Sequence, residues 1–392
     1  MQQILIYNAQ ILTPQGALPV GWLLTEGRRI ARLGPGQPPD LPAAISQAID
    51  ARGMTLAPGF IDLHVHGAVG HEAMDADPDG LRAMARFYAQ HGVTAFLPTT
   101  WTAPEAEILS ALRVIGRCLG PSTHGACILG AHIEGPYLNA SKCGAQDPAL
   151  IKPADPDEAL PLLDSGLVRL LALAPEIPGN GWLIDACVER GITVSAAHTA
   201  ATYADMATVV TRGVRQTTHT FNAMTPLGHR EPGVVGAALT MPELACELIA
   251  DNIHVHPVAM RLLVQAKGVS GVILITDAIR GAGMPDGEYP IDNRVVHVRD
   301  GAVRLPDGTL AGSTLTMDRA LRNILAATGL PLSIAWPMTS LNAARAIGIA
   351  EAKGSLEVGK DADLVLLEDD ATPRLTVVEG EIAFTALSEA AR

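Results

Sequence analysis

Eight short apolar runs, each followed by a longer stretch of helical character, fill the middle of this 392-residue chain and leave few folds open to it. They are "TLAPGFIDLHVH" (55–66), "VTAFLPTT" (93–100), "ACILGAHIE" (126–134), "VRLLALAPE" (168–176), "ITVSAAHT" (192–199), "QTTHTFN" (216–222), "ACELIADNIH" (245–254) and "GVILITDA" (271–278). Runs of this kind alternating with segments such as "DPDGLRAMARFYAQHG" and "WLIDACVERG" read as repeated βα units around a parallel sheet. Eight units predict an α/β fold, a (β/α)8 TIM barrel, over residues 55–347. An open doubly wound sheet competes, but the first run lacks the G-x-G-x-x-G phosphate turn that would favour it.

The two ends have another texture. Residues 1–54 and 348–392 alternate short apolar runs with Gly, Pro, Asn and Asp, as in "ILIYNAQILTPQG" and "GSLEVGKDADLVLL", the pattern of short antiparallel strands and turns. They predict a small discontinuous β-sandwich domain formed by both termini.

Composition narrows the partners. Hydrophobic residues at 48% and charged residues at 18% provide a core, while a net charge of -13 with no Lys/Arg cluster argues against nucleic acid and against an anionic membrane surface. An anionic substrate would therefore need cations placed locally. Cys118, Cys127, Cys143, Cys187 and Cys246 are irregularly spaced without C-x-x-C, which suits reduced thiols. No signal-peptide pattern opens the chain, and no apolar run reaches the ~18 residues of a membrane span, so a soluble cytoplasmic protein is expected.

Barrel enzymes carry their chemistry at the C-terminal ends of the strands. There the runs end in His64 and His66 (first), Glu134 (third), Glu176 (fourth), His198 (fifth), His219 (sixth), His254 (seventh) and Asp277 (eighth), with interior positions otherwise apolar or small. In "PGFIDLHVHG" the side chains of His64 and His66 share a strand face, roughly 7 Å apart along the chain. Imidazoles and carboxylates converging on one barrel mouth form a site for a divalent metal: zinc first, with iron, manganese or cobalt as alternatives. Such an ion lowers the pKa of bound water towards ~7 and polarises a carbonyl. Asp277 is the candidate to move that water's proton.

These residues lie in motifs that resemble the amidohydrolase superfamily and, within it, the N-acetylglucosamine-6-phosphate deacetylase family. The motifs are "PGFIDLHVHG" (58–67), "GAHIEGPYLN" (130–139), "AAHTAAT" (196–202), "THTFNAMTPLGHREPG" (218–233), "DNIHVHP" (251–257), "ITDAIRGAG" (275–283), "LAGSTLTM" (310–317) and "GSLEVGKDADLVLL" (354–367). "IEGPYLN" and "HTFNAMTPL…REPG" resemble the deacetylases; the first and last mark only the superfamily. The resemblance implies a hydrolase that removes the acetyl group of N-acetylglucosamine 6-phosphate. It implies Glu134, His198 and His219 as metal ligands, His64 and His66 at a second metal position, and Asp277 as general base and acid. One or two ions per subunit follow.

The same resemblance puts Asn222, Ala223, Arg230 and His254 on the sugar phosphate, with Arg230 reaching the neighbouring subunit of a homodimer. Ala145, Gln146 and the segment Leu310, Ala311 and Gly312 would line the substrate; from its residues alone that last segment reads as a turn. Two departures stand out. Gln146 replaces a family histidine that touches the acyl group, and it becomes a second donor to the oxyanion. Arg280 stands where the family has a small or apolar residue. Both leave the sugar epimer open, with N-acetylgalactosamine 6-phosphate or an N-acyl amino acid as alternative substrates. His71, His91, His124 and His297 read as incidental, His229 and His256 as loop residues, and His132 shares the inward face of Glu134.

Overall fold

The computed structural model describes residues 2–39 and 45–388. Its centre is a parallel barrel whose eight staves are Phe60–Val65, Val93–Thr100, Ala131–Glu134, Val168–Leu173, Thr193–Ala196, Val214–Thr217, Ala245–Ile249 and Val272–Ile275, hydrogen-bonded in chain order. The ring closes where Val65 bridges Ala278, with His66 N donating to Ala278 O and Asp277 N to His64 O, both at 2.8 Å. Staves covered on both faces are mainly apolar rather than alternating, and all eight residues of Val93–Thr100 are buried.

Helices between the staves cover the barrel. Pro78–Gln90 shows why they form where they do. Asp77 caps it by accepting from Asp79 N at 3.0 Å and Gly80 N at 3.1 Å, Pro78 opens it, and Leu81, Met84, Ala85 and Tyr88 make the buried stripe.

The terminal domain is built as one continuous eight-stranded sheet. Its path runs Glu381–Thr385, Pro373–Val378, Leu364–Leu367, Thr55–Pro58, Ile4–Thr13, Gly16–Glu26 and Arg29–Pro35, and Gln47–Asp50 also pairs with Ile4–Thr13. It has its own core, including Ile4, Ile11, Leu23, Leu364 and Val377. The boundary expected before Thr55 falls after Pro58, because one apolar run serves two sheets. Gly59 makes the switch: a Cβ there would lie 2.1 Å from Thr94 Cγ2.

A four-stranded antiparallel sheet follows the last stave, formed by Gly287–Ile291, Arg294–Arg299, Ala302–Arg304 and Leu310–Ser313. The segment expected as a turn at Leu310, Ala311 and Gly312 is thus a strand. It is spliced to the barrel mouth by Ser313 N donating to Asp277 O at 2.8 Å and Ile279 N to Ser313 O at 3.0 Å.

Candidate active site

Four imidazole Nε2 atoms and two carboxylates meet at the C-terminal mouth. His198 Nε2 and His219 Nε2 lie 3.3 and 3.1 Å from Glu134 Oε1 and 3.2 Å from each other. His64 Nε2 and His66 Nε2 are 3.3 Å apart, and 3.4 and 3.3 Å from Asp277 Oδ1. His66 Nε2 lies 3.4 Å from Glu134 Oε2, and His64 Nε2 lies 3.6 Å from Oε1. Two donor triads result, Glu134/His198/His219 and His64/His66/Glu134, sharing one carboxylate.

The spacing tests the fit to a metal. Ligands about 2.0–2.1 Å from a tetrahedral zinc stand about 3.3 Å from one another, the separation found here. Each triad also has one imidazole whose outer nitrogen is anchored. His64 Nδ1 donates to Glu247 Oε2 at 3.2 Å and His198 Nδ1 to the Lys142 carbonyl at 2.8 Å, so each turns a lone pair on Nε2 inward. His66 is held otherwise, stacked on Trp101 with centroids 3.8 Å apart and 11° between planes. Trp101 Nε1 donates to Glu72 Oε2 at 3.3 Å. The residues fit a divalent ion, and both triads are buried.

Backbone conformation concentrates here. His198, His219 and Asp277 have φ of 41°, 31° and 50°, and Ala223 has 50°, a left-handed region costly for residues with a Cβ. His219 stands beyond the stave Val214–Thr217, Thr218 N donates to Ala196 O at 3.0 Å, and the turn aims the imidazole across the mouth. Asp62, inside the first stave, accepts from Thr276 Oγ1 at 2.5 Å and from His64 N and Thr276 N at 3.3 Å, stitching together the strands that carry His64 and Asp277. Burial pushes the Asp62 carboxyl up to about 7 despite those bonds.

Charge follows the same geometry. Burial by itself would raise Glu134, but the His64 charge and the hydrogen bonds of His198 and His219 hold it well below the usual carboxylate range. Asp277 is likewise opposed by burial and held low by His64 and His66. Burial and the neighbouring His64 hold His132 well below an ordinary imidazole, so it packs as a neutral ring edge-on to His64.

Above these groups opens a cavity of about 230 Å³. Of the metal and acid candidates, Glu134, His198, His219 and Asp277 reach its wall; His64 and His66 lie beneath, 0% and 1% exposed. Of the substrate candidates, Ala145, Gln146, Asn222, Ala223, His254, Leu310 and Gly312 line it. Ala311 is fully buried in the small sheet, and Arg230 is exposed outside the cavity of its own chain. His254 Nδ1 is bound by Asp251 Oδ2 at 2.6 Å, which leaves its Nε2 for the cavity.

Three expectations change. Glu176 is no site residue: it accepts from Asn139 Nδ2, Thr199 Oγ1 and Ala200 N and braces two loops. Arg280 points out of the cavity to Glu72 at 3.1 Å and Asp75 at 2.8 Å, touching the site only through Glu72 and Trp101. Barrel interior positions are not all apolar or small, since Asp62, Gln216 and Glu247 are fully buried there. Glu247, Trp101 and Lys142 escaped sequence reasoning. A carboxylate inside the apolar run "ACELI" was the one available signal.

A parallel barrel with paired imidazole and carboxylate triads at its C-terminal mouth has the architecture of a metal-assisted hydrolase. The chain belongs to the amidohydrolase family, whose profile matches residues 55–383. It is 37% identical over 389 residues to an N-acetylglucosamine-6-phosphate deacetylase of Bacillus subtilis (strain 168), covering 98% of each chain. It is 38% identical over 365 residues to an N-acetylgalactosamine-6-phosphate deacetylase of Escherichia coli O157:H7, covering 93% of this chain and 96% of the other. Among solved structures it is similar to N-acetylglucosamine-6-phosphate deacetylase from Pasteurella multocida, with a TM-score of 0.91 and 33% identity over 97% of this chain and 99% of that one. A mutant of the Mycobacterium smegmatis N-acetyl-D-glucosamine-6-phosphate deacetylase in complex with N-acetyl-D-glucosamine 6-phosphate superposes with a TM-score of 0.91 at 32% identity, over 98% and 100% of the two chains.

Proposed function

We propose that this chain hydrolyses the acetamide of N-acetylglucosamine 6-phosphate to acetate and glucosamine 6-phosphate. The observation that carries it is the Glu134/His198/His219 triad on the cavity wall with Asp277 beside it. A divalent ion bound there, zinc first by the donor set, would supply a water of lowered pKa and polarise the amide carbonyl. Glu134, His198 and His219 would hold that ion, with His64 and His66 offering a second position.

The chain's own groups do the rest. Asp277 accepts a proton from water as its oxygen bonds to the acetamide carbon, and returns it to the sugar nitrogen as the carbon–nitrogen bond breaks. His254, fixed by Asp251, and Asn222 and Ala223 bind the sugar phosphate. Arg230, exposed on its own subunit, extends to the neighbouring site of a homodimer and gives phosphate a bidentate partner on an acidic protein. All five cysteines are free, three of them buried, in keeping with a reducing cytoplasm. Among the described residues no single helix is long and apolar enough to cross a membrane.

A second reading keeps the chemistry and changes the epimer. The galactosamine relative at 38% identity stands level with the glucosamine relative at 37%, so overall identity does not discriminate. Acetate release from N-acetylglucosamine 6-phosphate, N-acetylgalactosamine 6-phosphate and unphosphorylated N-acetylglucosamine, with metal counted, tests both. The highest kcat/KM is expected on the first, and the third should be poor. No turnover of any of the three by metal-replete protein would overturn the proposal and direct the search to N-acyl amino acids.

A further inference from the structure

We infer that Gln146 is a positioning residue for Glu134, and that the segment Lys142–Gln146 is a clamp on the Glu134/His198 side of the metal site. The inference rests on the reading of Glu134 as a metal ligand.

The orientation of the Gln146 amide is settled by chemistry. Thr102 N is a backbone donor, 2.8 Å from the Gln146 side chain, so the atom facing it is Oε1. Nε2 must then face the other way, where it donates to Glu134 Oε2 at 2.7 Å. Gln146 is 2% exposed, and its amide spans two protein groups instead of reaching into the cavity as a free oxyanion donor.

The same segment grips a second ligand candidate. Four residues before Gln146, the Lys142 carbonyl accepts from His198 Nδ1 at 2.8 Å. Between them Gly144, at φ +56°, lets the backbone pass so close to the imidazole that a Cβ would lie 3.1 Å from His198 Cε1. The clamp is pinned from outside by Arg294 Nη2, donating to the Ala145 carbonyl at 2.6 Å from the four-stranded sheet. A carboxylate with one oxygen bound to an amide N–H turns its other oxygen, Oε1, to His198 and His219, and its own rotation is stopped.

A side chain that contacts substrate would change KM; one that orients a ligand changes affinity for the metal itself, and a loss of 10–100-fold is usual for such supports. The test is zinc affinity of the metal-stripped protein, measured by competition with a chelating dye, for wild type and Gln146→Met, which keeps length and removes the donor. The expected result is a fall in zinc affinity of about 10–100-fold with KM for the sugar phosphate within about threefold. Unchanged zinc affinity overturns the inference whatever the kinetics. Gln146→Leu, which likewise removes the donor and leaves little room for water, is the second variant if the methionine chain does not fold. Because zinc binding needs no substrate, failure of the proposed activity leaves this readout intact.

Discussion

His64 Nδ1 and Glu247 Oε2, 183 positions apart in the chain, meet at 3.2 Å inside the barrel, both fully buried. Glu247 also accepts from Gln216 Nε2 through Oε1 and from His219 N at 3.3 Å through Oε2, so one carboxylate steadies a member of each donor triad. A buried carboxylate on the outer nitrogen fixes the tautomer and raises the basicity of the inner one. Glu247→Leu is expected to weaken zinc binding about 10–100-fold while the far-ultraviolet circular dichroism stays that of the barrel. Wild-type zinc affinity in the folded variant would show that His64 is oriented without Glu247.

Asp277 combines a cavity-facing carboxylate with a left-handed backbone at φ 50°, held by its own N–H to His64 O and by its carbonyl to Ser313 N. Of the two carboxylates on that wall, Glu134 belongs to both metal triads, which leaves Asp277 to accept and return a proton. Asp277→Asn keeps shape and hydrogen bonding but loses the basic site. We expect kcat to fall by about 10²–10⁴-fold with metal content unchanged. Retention of most of kcat would remove Asp277 from its assigned role.

The barrel was legible because parallel staves covered on both faces must be apolar runs, and each run here is punctuated by Gly, Pro or polar residues. His198, His219 and Asp277 were legible for the same reason, as polar residues closing apolar runs. The switch of sheets at Gly59 was not, since what forbids a side chain there is Thr94 on the adjacent stave, 35 positions on in the chain. The sheet 287–313 carried hairpin signals in "IDNR", "RDGA" and "PDGT" that the strong motifs on either side overshadowed. Glu247 and Gln146 acquire their roles from partners distant in the chain, and no local pattern records that. His91, in a flanking segment by sequence, turns out to join the first and last barrel helices.

That junction makes a prediction about acid. His91 follows the helix Pro78–Gln90, and its Nδ1 lies 3.0 Å from Asp318 Oδ1 in the first turn of Met317–Thr328, where Arg322 Nη2 also donates to Asp318 at 2.8 Å. Burial opposes ionisation of Asp318, but His91, Thr316 and Arg322 outweigh it and bring its pKa from 3.8 to about 2. A carboxyl lowered in the folded state stabilises above its unfolded pKa, and that stability is lost as pH falls through the folded value. Asp318→Asn should therefore cost roughly 2 kcal/mol at pH 5, with the gap to wild type closing between about pH 4 and pH 2. Urea unfolding across that range reads it; a gap independent of pH would mean that the charge on Asp318 contributes nothing.

Arg230 supplies the last prediction, because its exposure outside its own cavity separates two arrangements that give the same single-variant kinetics. Arg230→Ala is expected to raise KM for the phosphorylated sugar about 10–100-fold, the effect of losing one charge-assisted pair. If the arginine serves its own site from a flexible loop, mixing Arg230→Ala with Asp277→Asn subunits restores nothing. If it crosses a two-fold interface, a mixed dimer holds one site built from the intact Asp277 of one subunit and the intact Arg230 of the other. After unfolding and refolding an equal mixture, random pairing makes half the dimers mixed, and activity at low substrate should recover to about a quarter of wild type. Recovery at that level supports the homodimer and the crossing arginine; a mixture no better than the average of its two parents refutes the crossing.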